Sequence, residues 1–370
     1  MTITRRIIER LLKIESFHRF AFWANSHFLA YDHRRRYPGD LRWHPVAPSP
    51  IEKYDVSCVQ IGPIFYVIGG FSSLDRVNSF MDVLDLKVRR WTKRIVLPKG
   101  MGQTHLAAAT DGRRFIYTMS GQLGPQCSPA VREGFVFDAQ EETWSPFVPL
   151  PEPRYAATMQ LWKGRVHVIG GSKPDRYAPS ADHWSISVKD GQATEPRWRQ
   201  EIPIPLAAQD RPSAVIDDVL YVFGGQAGDF IPKPGSLCFE CDGKTREEYF
   251  KHTYRLTGLD RPWEHLADMP VSTSHMSFAA IIGSSIYTFG GQIFKDPQTF
   301  QLSLTDAVQR FDTRSGRWSI IGHTPYRLKT AAVAYYDGWV YISTGQRDRN
   351  TRDAAPGRID RRSWRAKFPL

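Results

Sequence analysis

Two segments, VHVIGG at 166–171 and LYVFGG at 220–225, decide how the rest of the chain is read. Each is an apolar run rich in β-branched and aromatic residues that stops on paired glycines, the pattern of a buried strand ended by a turn that needs positive φ. The pattern recurs as YVIGG at 66–70 and IYTFGG at 286–291, with two weaker copies, IYTMSG at 116–121 and VYISTG at 340–345. The final glycines, Gly70, Gly121, Gly171, Gly225, Gly291 and Gly345, lie 51, 50, 54, 66 and 54 residues apart. A period near 50 residues is one blade of a propeller, a unit that buries its faces only against its neighbours.

Each copy has the same internal order. A β-rich run precedes the glycine strand at 105–109, 156–162, 213–216, 277–282 and 330–336, often through a turn such as Asp217-Asp218 or Asp337-Gly338. The first two strands therefore form a hairpin. A variable loop then leads to a third strand and to a fourth that carries tryptophan. LDLKVRRW at 84–91, FDAQEETW at 137–144 and FDTRSGRW at 311–318 share Asp-x5-Trp, and Trp198 and Trp263 hold that place in blades three and four. The Asp caps the turn and the Trp offers a large packing surface between blades. The sixth copy is one strand short, and LRWHPV at 41–46 resembles the missing Trp-bearing strand, so an N-terminal strand is expected to close the last blade. The expectation is an all-β propeller of six blades over 41–370, four antiparallel strands to a blade, preceded by a basic extension over 1–40.

With these motifs in register, the chain resembles the kelch-repeat family of the galactose oxidase/kelch superfamily. WSIIGHTPYRLKT at 318–330, DGWVYISTGQRD at 337–348, WRAKF at 364–368 and GDFIPKP at 228–234 look like plant-type kelch repeat-containing proteins, some of them anchored to endomembranes. The resemblance implies a kelch-type six-bladed propeller that serves as a scaffold or ligand platform, with enzymatic exceptions.

Composition narrows the classes further. The 370 residues are 41% hydrophobic and 13% aromatic, enough for a sizeable core and too apolar for a disordered chain. Of the net charge of +11, residues 1–40 and 347–370 carry +9, so the body between them is nearly neutral and a nucleic-acid partner is not expected. The longest apolar run, 20–30, contains Asn25 and His27 and is too short to span a membrane. Residues 1–40 also lack the order of a secretory signal. Residues 3–14, ITRRIIERLLKI, place Ile3, Ile7, Leu11 and Ile14 at helical spacing beside Arg6, Arg10 and Lys13. That is a short helix, which either packs on the propeller or gives residues 1–30 a peripheral membrane contact; a cytoplasmic location is favoured. Cys58, Cys127, Cys238 and Cys241 are too few for a disulfide framework. Cys238 and Cys241 form a C-x2-C pair in the insertion at 227–262, with His252 and His265 downstream, but no second pair exists; neither metal nor cofactor is expected.

Strand alternation puts the loop entering each first strand and the loop after each second strand on one face. The post-glycine positions there are Phe71, Gln122, Ser172, Gln226, Gln292 and Gln346, four of six being glutamine. The expected ligand-binding face combines them with the strand entries: Tyr54, His105, Gln122, Arg154, Tyr155, Asp210, Arg211, Gln226, His275, Gln292, Lys329, Gln346 and Arg347. Amides and cations in a ring suit a polar protein segment or a carbohydrate bearing an anion, unless they are spent joining neighbouring blades. No phosphate-cradling glycine loop, G-x-S-x-G elbow or H-E-x-x-H occurs. The leading expectation is a non-catalytic recognition platform for a protein segment or glycan. The alternative is an enzyme on a sugar or sugar acid, mutarotase- or epimerase-like, with His105, Asp210, His275 or Asp348 as proton carrier. Plant specifier proteins of this fold carry an E-x-x-x-D-x-x-x-H iron motif; Glu264 and Asp268 match it, but Ser272 stands in the histidine's place and the match is read as chance.

Overall fold

A computed structural model describes residues 41–73, 76–125, 128–229, 247–274, 278–295, 302–347 and 358–368. The expected N-terminal helix, the Cys238/Cys241 pair, His275 and Asp348 lie outside the described residues. The described residues hold strands and no helix, and none of them forms a helix long and apolar enough to cross a membrane.

Six antiparallel sheets succeed one another along the chain. Blade one is Ser57–Ile61, Ile64–Ile68, Phe80–Asp85 and Arg90–Val96. Blade two is Ala107–Thr110, Phe115–Met119, Gly134–Asp138 and Thr143–Phe147. Blade three runs Thr158–Trp162, Arg165–Ile169 and His183–Lys189, with Arg199–Gln200 on its edge. Blade four is Ser213–Ile216, Val219–Phe223, Thr253–Leu256 and Glu264–His265. Blade five has Ala280–Ile282, two long strands Ser285–Lys295 and Leu302–Asp312, and Arg317–His323. Blade six is Ala332–Tyr336, Trp339–Ser343 and Ser363–Lys367, and its fourth strand is Trp43–Val46 from the other end of the propeller, with Trp43 opposite Ala366 and Val46 opposite Ser363.

Apolar side chains meet between blades. Tyr66, Ile68 and Met81 of blade one pack with Leu106, Ile116 and Phe137 of blade two, and Trp162 and Ile169 of blade three with Leu220, Val222 and Trp263 of blade four. Phe368 of blade six sits edge-on to Tyr287 of blade five at 5.3 Å. The tryptophans add a directional bond across the same seams. Trp198 donates its indole N–H to Val148 O (3.1 Å), Trp263 to Ile202 O (3.1 Å), Trp318 to Thr253 Oγ1 (2.9 Å), Trp43 to His323 O (2.8 Å) and Trp91 to Ala47 O (3.1 Å). The Asp of each Asp-x5-Trp caps its turn: Asp85 Oδ1 accepts from the N–H groups of Lys87 and Val88, Asp138 Oδ1 from Gln140 and Glu141, and Asp312 Oδ1 from Arg314 and Ser315.

The glycine corners account for the repeat. The second glycine sits at positive φ, +91° at Gly70, +83° at Gly171, +96° at Gly225 and +100° at Gly345. Its N–H donates to a carbonyl of the following blade: Gly70 to Gln103 O (2.7 Å), Gly121 to Arg154 O (3.0 Å), Gly171 to Ala208 O (3.0 Å) and Gly225 to Thr273 O (2.9 Å). Gly345 donates to Lys53 O (2.8 Å), joining blade six to blade one. A Cβ would lie 2.7 Å from Tyr155 O at Gly171, 2.7 Å from Gln209 O at Gly225 and 1.9 Å from Gln103 O at Gly69. In the weaker copies Ser120 (φ +57°) and Thr344 (φ +64°) keep the same left-handed turn at the first position. The sequence signature fades there while the backbone geometry is retained, at roughly 1–2 kcal/mol of strain per residue.

Gly171→Ala should therefore destabilise the protein by about 3 kcal/mol or more, because it combines left-handed strain with a backbone clash. Gly164→Ala, at φ +69° with nothing within 4 Å of the added Cβ, should cost only about 1–2 kcal/mol. Urea unfolding of the two variants checks this, and equal losses would contradict it.

Candidate functional site

In every blade the post-glycine residue pairs with the strand-entry residue on the same face. The pairs are Tyr54 with Phe71, Thr104 with Gln122, Tyr155 with Ser172, Gln209 with Gln226, Ser274 with Gln292, and Lys329 with Gln346. Two backbone hydrogen bonds mark most of these pairs, such as Tyr155 N–H to Ser172 O (3.0 Å) and Ser172 N–H to Tyr155 O (2.9 Å). The post-glycine series is thus one side of a short ladder repeated around the ring; its other side coincides with the expected entry residues at Tyr54, Tyr155 and Lys329 and falls one residue before His105, Asp210 and His275 in blades two, four and five.

In the five blades where it is described, the residue after the entry position adopts the left-handed conformation: Asp55 (+49°), His105 (+52°), Ala156 (+49°), Asp210 (+54°) and Thr330 (+54°). These five border a central cavity of about 110 Å³, together with Arg211, Phe278 and the first-strand residues of blades one to four. Only His105 and Asp210 of this set stand out in the sequence. Asp55, Ala156 and Thr330 share their backbone geometry and no side-chain type, so the aligned register was the available signal.

Most of the remaining face residues are buried and bonded within the protein. Gln122 Oε1 accepts from Arg176 Nη1 (2.6 Å), and its Nε2 donates to Gly124 O (3.1 Å). Arg176 reaches on to Asp229 at 3.3 Å and lies over the Tyr155 ring, so it spans blades two, three and four. Arg154, fully buried, pairs with Asp182 (2.5 Å) and Glu152 (2.9 Å) and covers the Trp184 ring. Tyr155 donates its hydroxyl to Ser128 O (2.9 Å), and the Tyr54 ring lies 5.3 Å from Phe71. Arg211 donates to Gly224 O and Leu206 O, both at 2.9 Å. Gln226 Nε2 donates to Gly228 O (2.9 Å), and Arg347 pairs with Asp360 (3.2 Å). Gln292 joins a small network: its Oε1 accepts from Lys329 Nζ (2.8 Å), and its Nε2 donates to Glu247 (3.0 Å) and Tyr249 Oη (2.5 Å). Glu247 in turn holds Lys295 at 2.5 Å. Arg176, Asp229, Glu247 and Tyr249 carry much of this bonding, and they sit in loops of unequal length that the repeat does not index.

The groups that border the cavity are different in kind. Burial pushes His105 down to about 4, against the upward pull of Asp55, whose carboxylate is 3.7 Å away; His105 is a neutral imidazole at pH 7. Burial, reinforced by the Asp55 and Asp229 charges, pushes Asp210 well above the usual carboxylate range. The Glu264 of the near-matching specifier motif is tied to Arg255 (2.7 Å) rather than turned toward Asp268.

No family model matches the chain. It is 41% identical over 330 residues to a kelch repeat-containing protein of Arabidopsis thaliana, covering 89% of this chain and 76% of that protein. It is 23% identical over 314 residues to kelch-like protein 35 of Mus musculus and 27% over 135 residues to kelch-like protein 34 of Homo sapiens. The chain spans 45% and 21% of the length of these two animal relatives. Among solved structures, that of YjhT superposes with a TM-score of 0.64 at 13% identity, covering 85% of this chain and 95% of that one, which shows a shared fold.

The raised Asp210 sets a test. A carboxyl whose folded pKa lies above its unfolded value weakens the fold at every pH above the unfolded value, and the penalty fades as pH falls toward about 4. Asp210→Asn tolerates the left-handed turn and removes the penalty. Its melting temperature should exceed the wild type's by about 2 °C or more at pH 7.5, and the gap should shrink toward pH 4. A gap that is absent or that widens on acidification would contradict the assignment.

Proposed function

The chain belongs to the kelch-repeat β-propeller proteins, and from that premise we propose that it is a non-catalytic scaffold that recognises a protein segment across its loop face. The size of the central cavity carries the reading. At about 110 Å³ it falls well below the roughly 300–1,000 Å³ of small-molecule sites. Farther out on the face, Gln122, Arg154, Gln226, Gln292 and Arg347 are committed to internal bonds, which leaves few of them for a sugar to recruit. The same face exposes apolar side chains on its post-glycine loops: Leu123 in blade two, Tyr177 in blade three and Phe294 on the extended hairpin of blade five, the last 51% exposed. Aromatic side chains presented on a rigid frame are the usual anchors of protein interfaces.

An enzyme on sugars or sugar acids would need space for the ring as well as a proton carrier. His105 and Asp210 supply the second requirement and the cavity does not meet the first, so the scaffold reading is preferred. Carbohydrate binding would then fall outside the central cavity, across the outer loops or in the open hollow of about 520 Å³ beside blade one that Glu52, Arg76, Asn78, Arg94 and Arg361 line.

The test is affinity capture from extract of the native host with wild type and with Tyr177→Ala/Phe294→Ala, alongside a thermal-shift panel of neutral sugars, uronic acids and sialic acids. The expected result is a protein captured by wild type and depleted roughly tenfold or more on the double variant, at unchanged melting temperature. Equal capture by the variant, or a sugar that raises the melting temperature, would contradict the proposal.

A further inference from the structure

At the loop-face end of the outer half of blade four, His252, His265 and Asp268 bring two imidazoles and a carboxylate together, with ligand atoms all within 4.8 Å of one another. The backbone around them is fixed. His252 O accepts from Gly224 N–H (2.9 Å), Lys251 O from Met269 N–H (2.7 Å), and Thr253 O from Leu266 N–H (2.8 Å). The first bond ties the start of the third strand to the glycine corner and the other two hold it against the fourth, where Tyr254 is opposite His265. The two imidazole rings are 5.2 Å apart, and His265 Nε2 meets Asp268 Oδ1 at 3.0 Å. His252 Nδ1 is buried and has no hydrogen-bond partner. A buried ring nitrogen left unpartnered beside an imidazole and a carboxylate is a place for a cation that accepts nitrogen donors.

We propose that His252, His265 and Asp268 form a divalent transition-metal site, with zinc as its natural occupant. Two imidazoles select against calcium and magnesium, which take oxygen ligands. Three protein ligands at about 2.0–2.2 Å from zinc leave a fourth position for water or for a ligand brought by another molecule. His265 and Asp268 are partly exposed, so their side chains can close on the ion while the backbone stays in place. The ion displaces the His265–Asp268 hydrogen bond and competes with Lys251, whose ammonium is 3.5 Å from the other oxygen of Asp268. Because the fourth strand of this blade is only Glu264–His265, a metal held across to His252 also clips the blade's edge to its third strand. The proposal does not depend on the scaffold reading of the loop face.

The experiment uses the untagged 370-residue protein, stripped with chelator and titrated with zinc chloride by calorimetry, with cobalt(II) absorption as a report of nitrogen coordination. His265→Ala and Asp268→Asn are compared with Cys238→Ser/Cys241→Ser, which removes the C-x2-C thiols as a competing source of binding. The expected result is one zinc per chain in the wild type and in the cysteine variant, with affinity weakened about tenfold or more in His265→Ala and Asp268→Asn at unchanged secondary structure. No binding by the wild type, binding that survives His265→Ala, or binding lost only in the cysteine variant would each overturn the site.

Discussion

The hydrogen bond from the second glycine of a corner to a carbonyl of the next blade, seen at five of the six corners, is the contact on which the rest of the structure depends. It runs from Gly70, Gly121, Gly171 and Gly225 into blades two to five, and from Gly345 back to Lys53 in blade one. Each bond is worth only about 1 kcal/mol net. Its importance lies in geometry, because the backbones approach too closely for a side chain at Gly69, Gly70, Gly170, Gly171, Gly225 and Gly290. The apolar seams and the tryptophan bonds then fill a spacing that the corners have set.

That constraint explains the chemistry of the loop face. The corner delivers the post-glycine residue into a bridge with the entry residue of its own blade, so six short ladders surround the axis. In five blades the residue after the entry position, Asp55, His105, Ala156, Asp210 or Thr330, then adopts the left-handed turn that borders the central cavity. Space at the axis is correspondingly small. The face offers its exposed side chains farther out, on loops whose lengths differ from blade to blade, while the bonded glutamines and arginines inside hold those loops to the frame.

The period of the glycine pairs, the Asp caps and the tryptophans follow directly from residue type, since each depends on local backbone requirements or on one bulky ring. The destinations of the glutamines do not. Gln122 and Gln226 turn back to carbonyls of their own loops, at Gly124 and Gly228, and Gln292 turns to Glu247 at the end of a long insertion. Those partners are set by loop length and path, which the repeat leaves free. Asp55, Ala156 and Thr330 were hidden for the opposite reason: their conformation repeats while their side chains do not. The cluster of His252, His265 and Asp268 depends on a strand register that brings residues thirteen and sixteen positions apart together; in the sequence the two histidines stand out only as residues downstream of a C-x2-C pair and Asp268 only in a broken iron motif, with nothing to join them.

The most direct measurement is residue-resolved amide hydrogen exchange of the corner glycines by NMR across a denaturant series. If the blade-to-blade bonds close the ring, the N–H groups of Gly70, Gly121, Gly171, Gly225 and Gly345 will exchange only through global unfolding, with a denaturant dependence equal to that of the whole protein. Fast exchange at these five amides, insensitive to denaturant while the inner strands stay protected, would show that the corners open freely and that the ring is held elsewhere.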